Sequence, residues 1–294
     1  MVKKAPYGII IPPVIPFKKD GALDKTALKE LIEFWCKHVD GFFICGTVSS
    51  GPLMTVDEKK ELTEKFIEYV NGCCPVFVHV GSPSTYEALD LAKHAERAGA
   101  DAIAAVPPYY YPHTSSAIKS YYETILSSVS LPFYVYTIPQ NTNVNLSVEL
   151  LKELADMGIN GIKDSTLNFS YHMELRRKLA PLGFEVIQGS DSLLVPSWMA
   201  GSRACVSGIA NGLPELVKDV LRKCEERYYE EAFHMQQVLL SIRDSFGQAS
   251  FIPMLYGLLK LRGLNAGYPR QPFIPVSDDL LRNVEQNLKE LGVL

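Results

Sequence analysis

The chain alternates short apolar runs with amphipathic segments, and this alternation constrains the fold more than any single motif does. The apolar runs have the length of strands, and the segments between them repeat apolar residues with the spacing of a helix that buries one face. Eight strands, each followed by a helix, is the number that closes a parallel barrel of about 250 residues. The predicted strands cover residues 8–14, 41–45, 75–80, 102–106, 133–136, 158–163, 184–188 and 204–207.

An open doubly wound sheet is the main alternative to a barrel. Such a sheet usually carries a glycine-rich phosphate-binding turn after its first strand, but that position here holds Pro12-Pro13-Val14-Ile15-Pro16. We therefore predict an α/β protein with a (β/α)8 TIM barrel over residues 1–225. Helical patterns over residues 226–294 predict a C-terminal helical extension that packs on the barrel within a single structural unit.

Local signals mark the ends of several helices. Thr55 with Glu58, and Ser84 with Glu87, have the spacing of a capping box, in which each side chain bonds to the backbone N–H of the other residue. Gly99 follows a helical run and suits the position just after a helix C-terminus. We therefore expect helices to begin after Thr55 and Ser84, and one to end at Gly99.

Composition and charge narrow the functional class. The formal net charge of −4 argues against a nucleic-acid partner. The first apolar run is short and broken by Pro12, Pro13 and Pro16, which is unlike a signal peptide. No apolar run has the length that a membrane span needs. We therefore expect a cytoplasmic enzyme without a nucleic-acid or membrane partner.

The cysteines have no CxxC spacing, and the histidines are equally dispersed. Cys36, Cys45 and Cys205 lie in apolar segments, where we expect small core residues. Cys73 and Cys74 are adjacent, which is a poor geometry for a metal site or a relaxed disulfide. The sequence therefore predicts no metal site, although residues distant along the chain can still converge.

Lys163 is the only basic residue in the apolar, strand-like run 159–165. Burial disfavours the charged form of a lysine, so a buried amine loses its proton near neutral pH. A neutral amine can attack a ketone and form a Schiff base. The alternative is that Lys163 is the solvent-facing end of a strand.

Two loops that follow predicted strands carry polar or aromatic groups. Small and hydroxyl residues fill positions 46–52, where backbone N–H groups could bind a carboxylate, although a plain tight turn would look similar. Tyrosines occupy positions 109–111, either in the site or as interface aromatics. In a barrel these loops share one mouth with the other carboxyl strand ends.

Other strand ends complete a possible proton relay. Tyr136 ends the fifth strand, and a tyrosine held beside Thr47 could move the protons that Schiff-base formation at Lys163 requires. Asp191 follows the seventh strand and either binds substrate hydroxyls or caps the next helix. Together these residues favour a catalytic role for Lys163.

Five motifs stand out at or near the predicted strand ends: Gly46-Thr47, Pro108-Tyr109-Tyr110, Tyr136-Thr137-Ile138-Pro139, Gly161-Ile162-Lys163-Asp164 and Gly189-Ser190-Asp191. With these motifs, the chain resembles the dihydrodipicolinate synthase / N-acetylneuraminate lyase family of pyruvate-dependent class I aldolases from about Tyr7 to its C-terminus. The resemblance implies a (β/α)8 barrel with a C-terminal helical region, assembled as a homotetramer, a dimer of dimers. The iminium would act as the electron sink, so we expect no cofactor beyond the covalent Schiff base at Lys163.

The resemblance implies a role for each matching residue. Lys163 corresponds to the Schiff-base lysine, and Tyr136 to the tyrosine that relays protons. Thr47 matches the first threonine of a Gly-Thr-Thr loop, and Tyr110 the tyrosine that reaches a neighbouring subunit's site. Val206 falls where an aliphatic residue lines the pyruvate methyl group.

The chain departs from the family pattern at positions expected to bind the pyruvate carboxylate and the acceptor aldehyde. Val48 replaces the second threonine of the loop, and Ser49 could supply the missing hydroxyl. Dihydrodipicolinate synthases typically have an arginine near the position of Asn141. This chain lacks that arginine, which makes dihydrodipicolinate synthase activity the less favoured one.

A closer likeness is to archaeal-type 2-keto-3-deoxygluconate aldolases, in motifs at residues 80–82, 107–112, 163–165 and 267–270. Those enzymes often have an arginine where this chain has His113, which argues against a phosphorylated substrate, and a threonine where it has Ser165.

The sequence thus predicts an aldolase whose partners are a small keto acid and an aldehyde. It would cleave a 2-keto-3-deoxy sugar acid, such as 2-keto-3-deoxygluconate, to pyruvate and the aldehyde. The acceptor hydroxyls would be bound near Gly189 by Asp191, Ser165 and Ser207. The alternatives are a 4-hydroxy-tetrahydrodipicolinate synthase, a keto-acid dehydratase and a non-catalytic sugar-acid-binding barrel. The sequence leaves open which aldehyde is used, and in which direction.

Overall fold

Eight parallel strands close into a barrel in the computed structural model, which describes residues 5–247 and 249–293. Each strand pairs with the next, and the last pairs with the first. The predicted TIM barrel is therefore confirmed. The strands are β1 (Gly8–Ile11), β2 (Gly41–Ile44), β3 (Val76–His79), β4 (Ala102–Ala105), β5 (Phe133–Thr137), β6 (Gly161–Asp164), β7 (Glu185–Gln188) and β8 (Ala204–Val206).

Helices separate the strands and continue after β8. The predicted C-terminal helices are present, and α10 packs on α8, α9 and α12. Residues 1–4, 248 and 294, which the two predicted regions include, lie outside the described residues. The helices are α1 (Lys25–Trp35), α2 (Val56–Val70), α3 (Thr85–Ala98), α4 (Ser115–Leu126), α5 (Pro139–Thr142), α6 (Val148–Asp156), α7 (Phe169–Leu179), α8 (Leu194–Met199), α9 (Pro214–Glu225), α10 (Tyr229–Ser245), α11 (Phe251–Leu261) and α12 (Asp278–Glu290).

No helix in the described part of the chain is both long enough and apolar enough to span a bilayer.

The strands divide their side chains between two apolar layers. In β2, Phe42 packs outward against helices, where its ring centre lies 5.0 Å from that of Phe66. Phe43 points the other way, into the barrel interior. The same alternation in β6 sends Ile162 outward and Lys163 inward, because neighbouring side chains of a strand point to opposite faces. The period of the strand thus places a lysine among interior side chains.

The capping predictions are confirmed in part. Thr55 and Glu58 form both bonds of a capping box at the start of α2, and Gly99 ends α3 with a φ of 89°. Ser84 caps α3 by accepting from the backbone N–H of Glu87. The Glu87 carboxylate, however, accepts a hydrogen bond from Lys59 Nζ on α2 at 3.0 Å. The acidic residue at this cap therefore joins two helices instead of completing a capping box.

The expectation that Cys36 is a small core residue is wrong, because Cys36 forms a disulfide with Cys73. Cys36 follows α1 and Cys73 follows α2, so both lie just before neighbouring parallel strands that begin at the same end of the barrel. The Sγ atom of Cys74 lies 3.4 Å from that of Cys73. Cys45 and Cys205 are buried free thiols, as predicted.

Asn211 links the end of β1 to the segment after β8. Its side chain is fully buried, accepts from the Val14 backbone N–H at 2.8 Å, and donates to the carbonyls of Pro12 and Gly208 at 2.9 Å each. Prolines end β1 early, since Pro12 and Pro13 have no N–H for the sheet. The Asn211 amide therefore replaces the sheet hydrogen bonds that the prolines interrupt.

Asn211→Ala should lower the free energy of unfolding by about 2–4 kcal/mol, because it leaves a buried N–H and two buried carbonyls without their partner. Urea denaturation of the variant and the wild type measures this loss. Asn283 on α12 is exposed, so Asn283→Ala is the control and should change stability by less than about 0.5 kcal/mol. Equal losses in the two variants would contradict the assigned role.

Candidate active site

A cavity of about 290 Å³ lies at the carboxyl ends of the barrel strands. This is the end at which TIM-barrel enzymes carry out their chemistry. Most of the residues predicted from the sequence meet there. The predicted residues that line the cavity are Thr47, Val48, Tyr136, Asn141, Lys163, Ser165, Gly189, Asp191 and Val206.

Lys163 lies in β6 with only 4% of its surface exposed. Its Nζ atom is 3.8 Å from the centre of the Tyr136 ring and 4.1 Å from that of Phe43. Burial lowers its pKa from 10.5 to about 7, and no carboxylate among the described residues bonds to the amine. Much of the amine is therefore neutral near pH 7 and can act as a nucleophile.

Tyr136 lies beside Lys163 because β5 and β6 pair these two residues in register. Its hydroxyl is 3.3 Å from Thr47 Oγ1 on the loop after β2. Burial raises the pKa of Tyr136, and hydrogen bonds with Thr47 and Ser165 partly offset this rise. The phenol thus keeps its proton at neutral pH and has a hydroxyl neighbour with which it can exchange one.

The loop after β2 is tightly folded. Its backbone doubles back so that the Gly51 N–H donates to the Gly46 carbonyl, and a Cβ at position 51 would lie 1.8 Å from the Cys45 carbonyl oxygen. Only glycine fits this approach. Within residues 5–247 and 249–293, the backbone N–H groups of Thr47 and Val48 donate no hydrogen bond. Both residues line the cavity, so these donors are available to a carboxylate.

Asp191 and Ser207 form a buried pair on the acceptor side. The Ser207 hydroxyl donates to Asp191 Oδ1, and the Ile209 backbone N–H donates to Oδ2. Burial raises the pKa of Asp191, while these bonds lower it. Asp191 lines the cavity, but both of its oxygens already accept hydrogen bonds, and Ser207 lies outside the lining. The arrangement therefore orders the loop and leaves Asp191 limited capacity for a substrate hydroxyl.

Ser165 and Gly189 touch each other at one wall of the cavity. The Ser165 hydroxyl donates to the Gly189 carbonyl at 3.2 Å, and a Cβ at position 189 would lie 2.1 Å from the Ser165 Oγ. A side chain at position 189 would therefore displace Ser165. A hydrogen bond with the Ser165 hydroxyl also lowers the pKa of Tyr136. Ser165 therefore links the acceptor side of the cavity to the proton relay of Tyr136.

Besides Ser207, three predicted site residues do not reach the cavity. The Ser49 hydroxyl is fully buried and donates to the Pro13 carbonyl at 2.9 Å, so it fastens two loops instead of facing the cavity. Tyr110 is 84% exposed, with a φ of 80°, and His113 is also exposed. The predicted roles of Tyr110 at a neighbouring subunit and of His113 near the acceptor stay predictions.

The sequence reasoning missed the part of the wall that comes from the C-terminal region. Arg243 at the end of α10, Phe251 at the start of α11 and Phe273 before α12 all line the cavity. Strand-end reasoning could not find them, because they belong to no barrel strand and reach the mouth only through helix packing. The one signal was the apolar character of residues 251–259 in a region otherwise rich in charge.

A network of hydrogen-bonded polar side chains lies behind the cavity. His172 Nδ1 is 2.9 Å from Asp164 Oδ2, and His172 Nε2 is 2.9 Å from Ser202 Oγ. These residue types also form serine-hydrolase triads, but His172 is fully buried and Ser202 is 2% exposed. Neither residue lines the cavity. This network therefore orients Asp164, next to Lys163, and offers no nucleophile to a substrate.

Lys163→Met should stabilise the protein, because the buried amine gains its proton less readily than the same amine in the unfolded chain. As the pH falls from 10.5 to about 7, the unfolded wild type takes up a proton that the folded state resists, and stability is lost. The variant should therefore gain on the order of a few kcal/mol at or below pH 7, with a smaller gain toward pH 10.5.

Urea midpoints across this pH range measure the effect. Lys152 on α6 is exposed, and Lys152→Met is the matched control, for which we expect no such trend. A gain that is independent of pH would show that packing, not a buried amine, separates the variant from the wild type.

Comparison with known proteins shows the family of the chain. A model of the Dihydrodipicolinate synthetase family matches residues 5–291. The chain is 32% identical over 289 residues to a 4-hydroxy-tetrahydrodipicolinate synthase of Archaeoglobus fulgidus, covering 98% of this chain and 99% of the relative. It is 32% identical over 290 residues to an uncharacterised DapA-like lyase of Halobacterium salinarum, covering 98% and 95%.

Solved structures show the same likeness. CdNal from Clostridium difficile, in complex with mannosamine, has a TM-score of 0.92 at 26% identity and covers 98% of this chain and 100% of its own. YagE from E. coli K12, in complex with pyruvate, has a TM-score of 0.92 at 27% identity and covers 98% and 99%. The finer likeness to 2-keto-3-deoxygluconate aldolases stays a prediction. The chain belongs to the dihydrodipicolinate synthetase family, whose members are lyases and synthases that act on pyruvate.

Proposed function

We propose that the protein is a class I aldolase that reversibly cleaves a 2-keto-3-deoxy sugar acid, such as 2-keto-3-deoxygluconate, to pyruvate and an aldehyde. The observation that carries this proposal is Lys163, whose buried amine has a pKa of about 7 and faces a cavity beside the Tyr136 hydroxyl. A structure of a relative, YagE, contains pyruvate, which supports a 2-keto acid as the substrate.

The first half of the reaction forms the covalent intermediate. The neutral Lys163 amine attacks the C2 ketone, and the carbinolamine loses water to give a protonated iminium. Tyr136 and Thr47, 3.3 Å apart, pass the protons that this dehydration moves. The N–H groups of Thr47 and Val48 bind the carboxylate, and Val206 lies against the carbon chain.

The second half breaks the carbon–carbon bond. In the preceding dehydration Tyr136 gives its proton to the departing hydroxyl of the carbinolamine, which leaves as water. The Tyr136 phenolate then accepts the proton of the C4 hydroxyl. The C3–C4 bond then breaks, its electron pair moves into the iminium, and the aldehyde leaves. The enamine gains a proton at C3, and water releases pyruvate and restores the Lys163 amine. The iminium is the electron sink, so the proposed reaction requires no metal or other cofactor.

A 4-hydroxy-tetrahydrodipicolinate synthase is the second candidate. It is supported by the Archaeoglobus fulgidus relative of that name, which aligns over 99% of its length. The same Lys163 enamine would then condense with aspartate semialdehyde. An assay of pyruvate with aspartate semialdehyde, beside one with glyceraldehyde, separates this candidate from the sugar-acid aldolase.

The proposed assembly is a homotetramer built as a dimer of dimers. Tyr110 supports it, because a tyrosine that is 84% exposed on a loop beside the cavity-bearing end is available to a second subunit.

Borohydride reduction in the presence of pyruvate should attach a reduced pyruvyl group to Lys163. Intact mass and peptide mapping locate the adduct. Lys163→Ala should lose both the adduct and turnover while it keeps its fold, whereas Lys152→Ala, which removes an exposed lysine of α6, should keep both. An unmodified wild-type Lys163 would refute the mechanism and leave a non-catalytic binding barrel as the better reading.

Tyr136→Phe should lower the rate of aldol cleavage by about 10²–10⁴-fold, because it removes the group that exchanges the C4 hydroxyl proton. Rates of pyruvate release measure this loss. Tyr86 is 86% exposed on α3, so Tyr86→Phe is the control and should keep its activity. A Tyr136→Phe rate close to that of the wild type would place the proton relay elsewhere.

A further inference from the structure

Three sulfur atoms lie together at the amino end of the barrel. Cys36 and Cys73 form the disulfide between the ends of α1 and α2, and the free thiol of Cys74 has its Sγ atom 3.4 Å from that of Cys73. All three Sγ atoms lie within 4.8 Å of one another. The spacing along the sequence predicted no metal site, but Cys36, 37 positions from Cys73, reaches the adjacent pair through the fold.

The backbone fixes the position of each of these cysteines. Cys36 ends α1, and its N–H donates to carbonyls of that helix. The chain turns back after α2 through two residues with positive φ, and Cys73 follows them. The Pro75 carbonyl, next to Cys74, accepts a hydrogen bond from the Phe42 N–H of β2 at 2.9 Å. The three sulfur atoms therefore meet because β2 and β3 are neighbours in the barrel.

The separation of the sulfur atoms fits the ligands of one zinc ion. Zinc–thiolate bonds of about 2.3 Å in a tetrahedral arrangement place two sulfur ligands about 3.8 Å apart. The 3.4 Å between Cys73 and Cys74, and the 4.8 Å limit for the whole cluster, are close to this separation. Cys36 and Cys74 are half-buried, whereas Cys73 is exposed. The exposed side of the cluster therefore leaves room for water as a fourth ligand.

Two carboxylates beside the cluster favour a cation there. The negative charges of Asp40 and Asp101 act on Cys74. Backbone hydrogen bonds hold both groups: Asp40 accepts from the Ile9 N–H at 2.8 Å, and Asp101 accepts from the Val76 N–H at 2.9 Å. Carboxylates fixed in this way attract a cation and stabilise it without binding it directly.

We propose that Cys36, Cys73 and Cys74 bind a zinc ion when the disulfide is reduced, so that the metal takes over the connection between α1 and α2. A dithiol reductant opens the Cys36–Cys73 bond: the dithiol becomes a disulfide, and the two cysteines become thiols. Zn²⁺ then displaces the thiol protons and binds three thiolates. The inference does not rest on the proposed aldolase function, because these cysteines lie at the end of the barrel opposite the cavity.

Zinc binding by the reduced full-length protein tests the site. A phosphine is the reductant, since it has no thiol that competes for the ion; it becomes a phosphine oxide as water supplies the oxygen and the two thiol protons. Titration of Zn²⁺ against a chromophoric chelator should then show one ion per chain with a Kd below about 1 μM. Reduced wild type that binds no zinc in this range would overturn the proposal.

The oxidised wild type is a control of identical sequence. Two of its three sulfur atoms are bonded to each other, so its zinc affinity should be lower by about a hundredfold or more. Equal affinity of the oxidised and the reduced protein would place the ion elsewhere and overturn the proposal.

Cys74→Ser separates the metal site from the disulfide. The variant keeps Cys36 and Cys73 and should therefore keep the disulfide, but it lacks one zinc ligand. Its reduced form should bind zinc about a hundredfold more weakly, because changes outside the ligand shell alone cost about ten- to a hundredfold. Cys224→Ser removes a free thiol of α9 outside the cluster and is the matched control, which should bind zinc like the wild type. Unchanged zinc binding by Cys74→Ser would overturn the proposal.

Co²⁺ in place of Zn²⁺ identifies the ligands. Thiolate ligands give Co²⁺ a strong charge-transfer absorption in the near ultraviolet, which the reduced wild type should show and reduced Cys74→Ser should largely lose. Binding of Co²⁺ without this absorption would place the ion on oxygen or nitrogen ligands and overturn the site. Labelling of Lys163 by pyruvate and borohydride reports on the proposed function alone, so the two proposals fail separately.

Discussion

Closure of the barrel is the constraint on which the rest of the molecule depends. Because β1 pairs with both β2 and β8, every strand has two neighbours, and each alternate side chain must point into the interior. The register between β5 and β6 then sets Tyr136 beside Lys163. An amine in that position is buried, and within the described residues no carboxylate bonds to it, so its altered basicity follows from the sheet itself.

Burial shifts the pKa values of the three buried ionisable groups of the cavity in different directions, but with the same consequence for charge. It lowers the pKa of Lys163 and raises the pKa values of Tyr136 and Asp191. Each shift favours the uncharged form. Burial therefore disfavours separated charge in the inner cavity, while Arg243 lies at its exposed wall. Charge that develops on an iminium would meet aromatic rings, which stabilise a cation without neutralising it.

The sequence predicted the features that depend on local order along the chain. Strand and helix periods indicated the barrel, and strand ends located Lys163, Tyr136 and Thr47, because parallel strands bring their carboxyl ends together. Contacts between distant segments could not be predicted in this way. The Ser49 hydroxyl bonds to Pro13, and Cys36 joins Cys73, through packing that no spacing reveals. Arg243 was missed for the same reason, since its place depends on how α10 lies over the barrel.

The Cys36–Cys73 disulfide makes part of the barrel a covalent ring. The bond joins residues 37 positions apart, and the enclosed chain contains β2 and α2. The loop after β2, with Thr47 and Val48, belongs to this ring. A protease that nicks the backbone inside the ring would leave both pieces attached, so the carboxylate-binding loop would stay tethered to the barrel until a reductant released it.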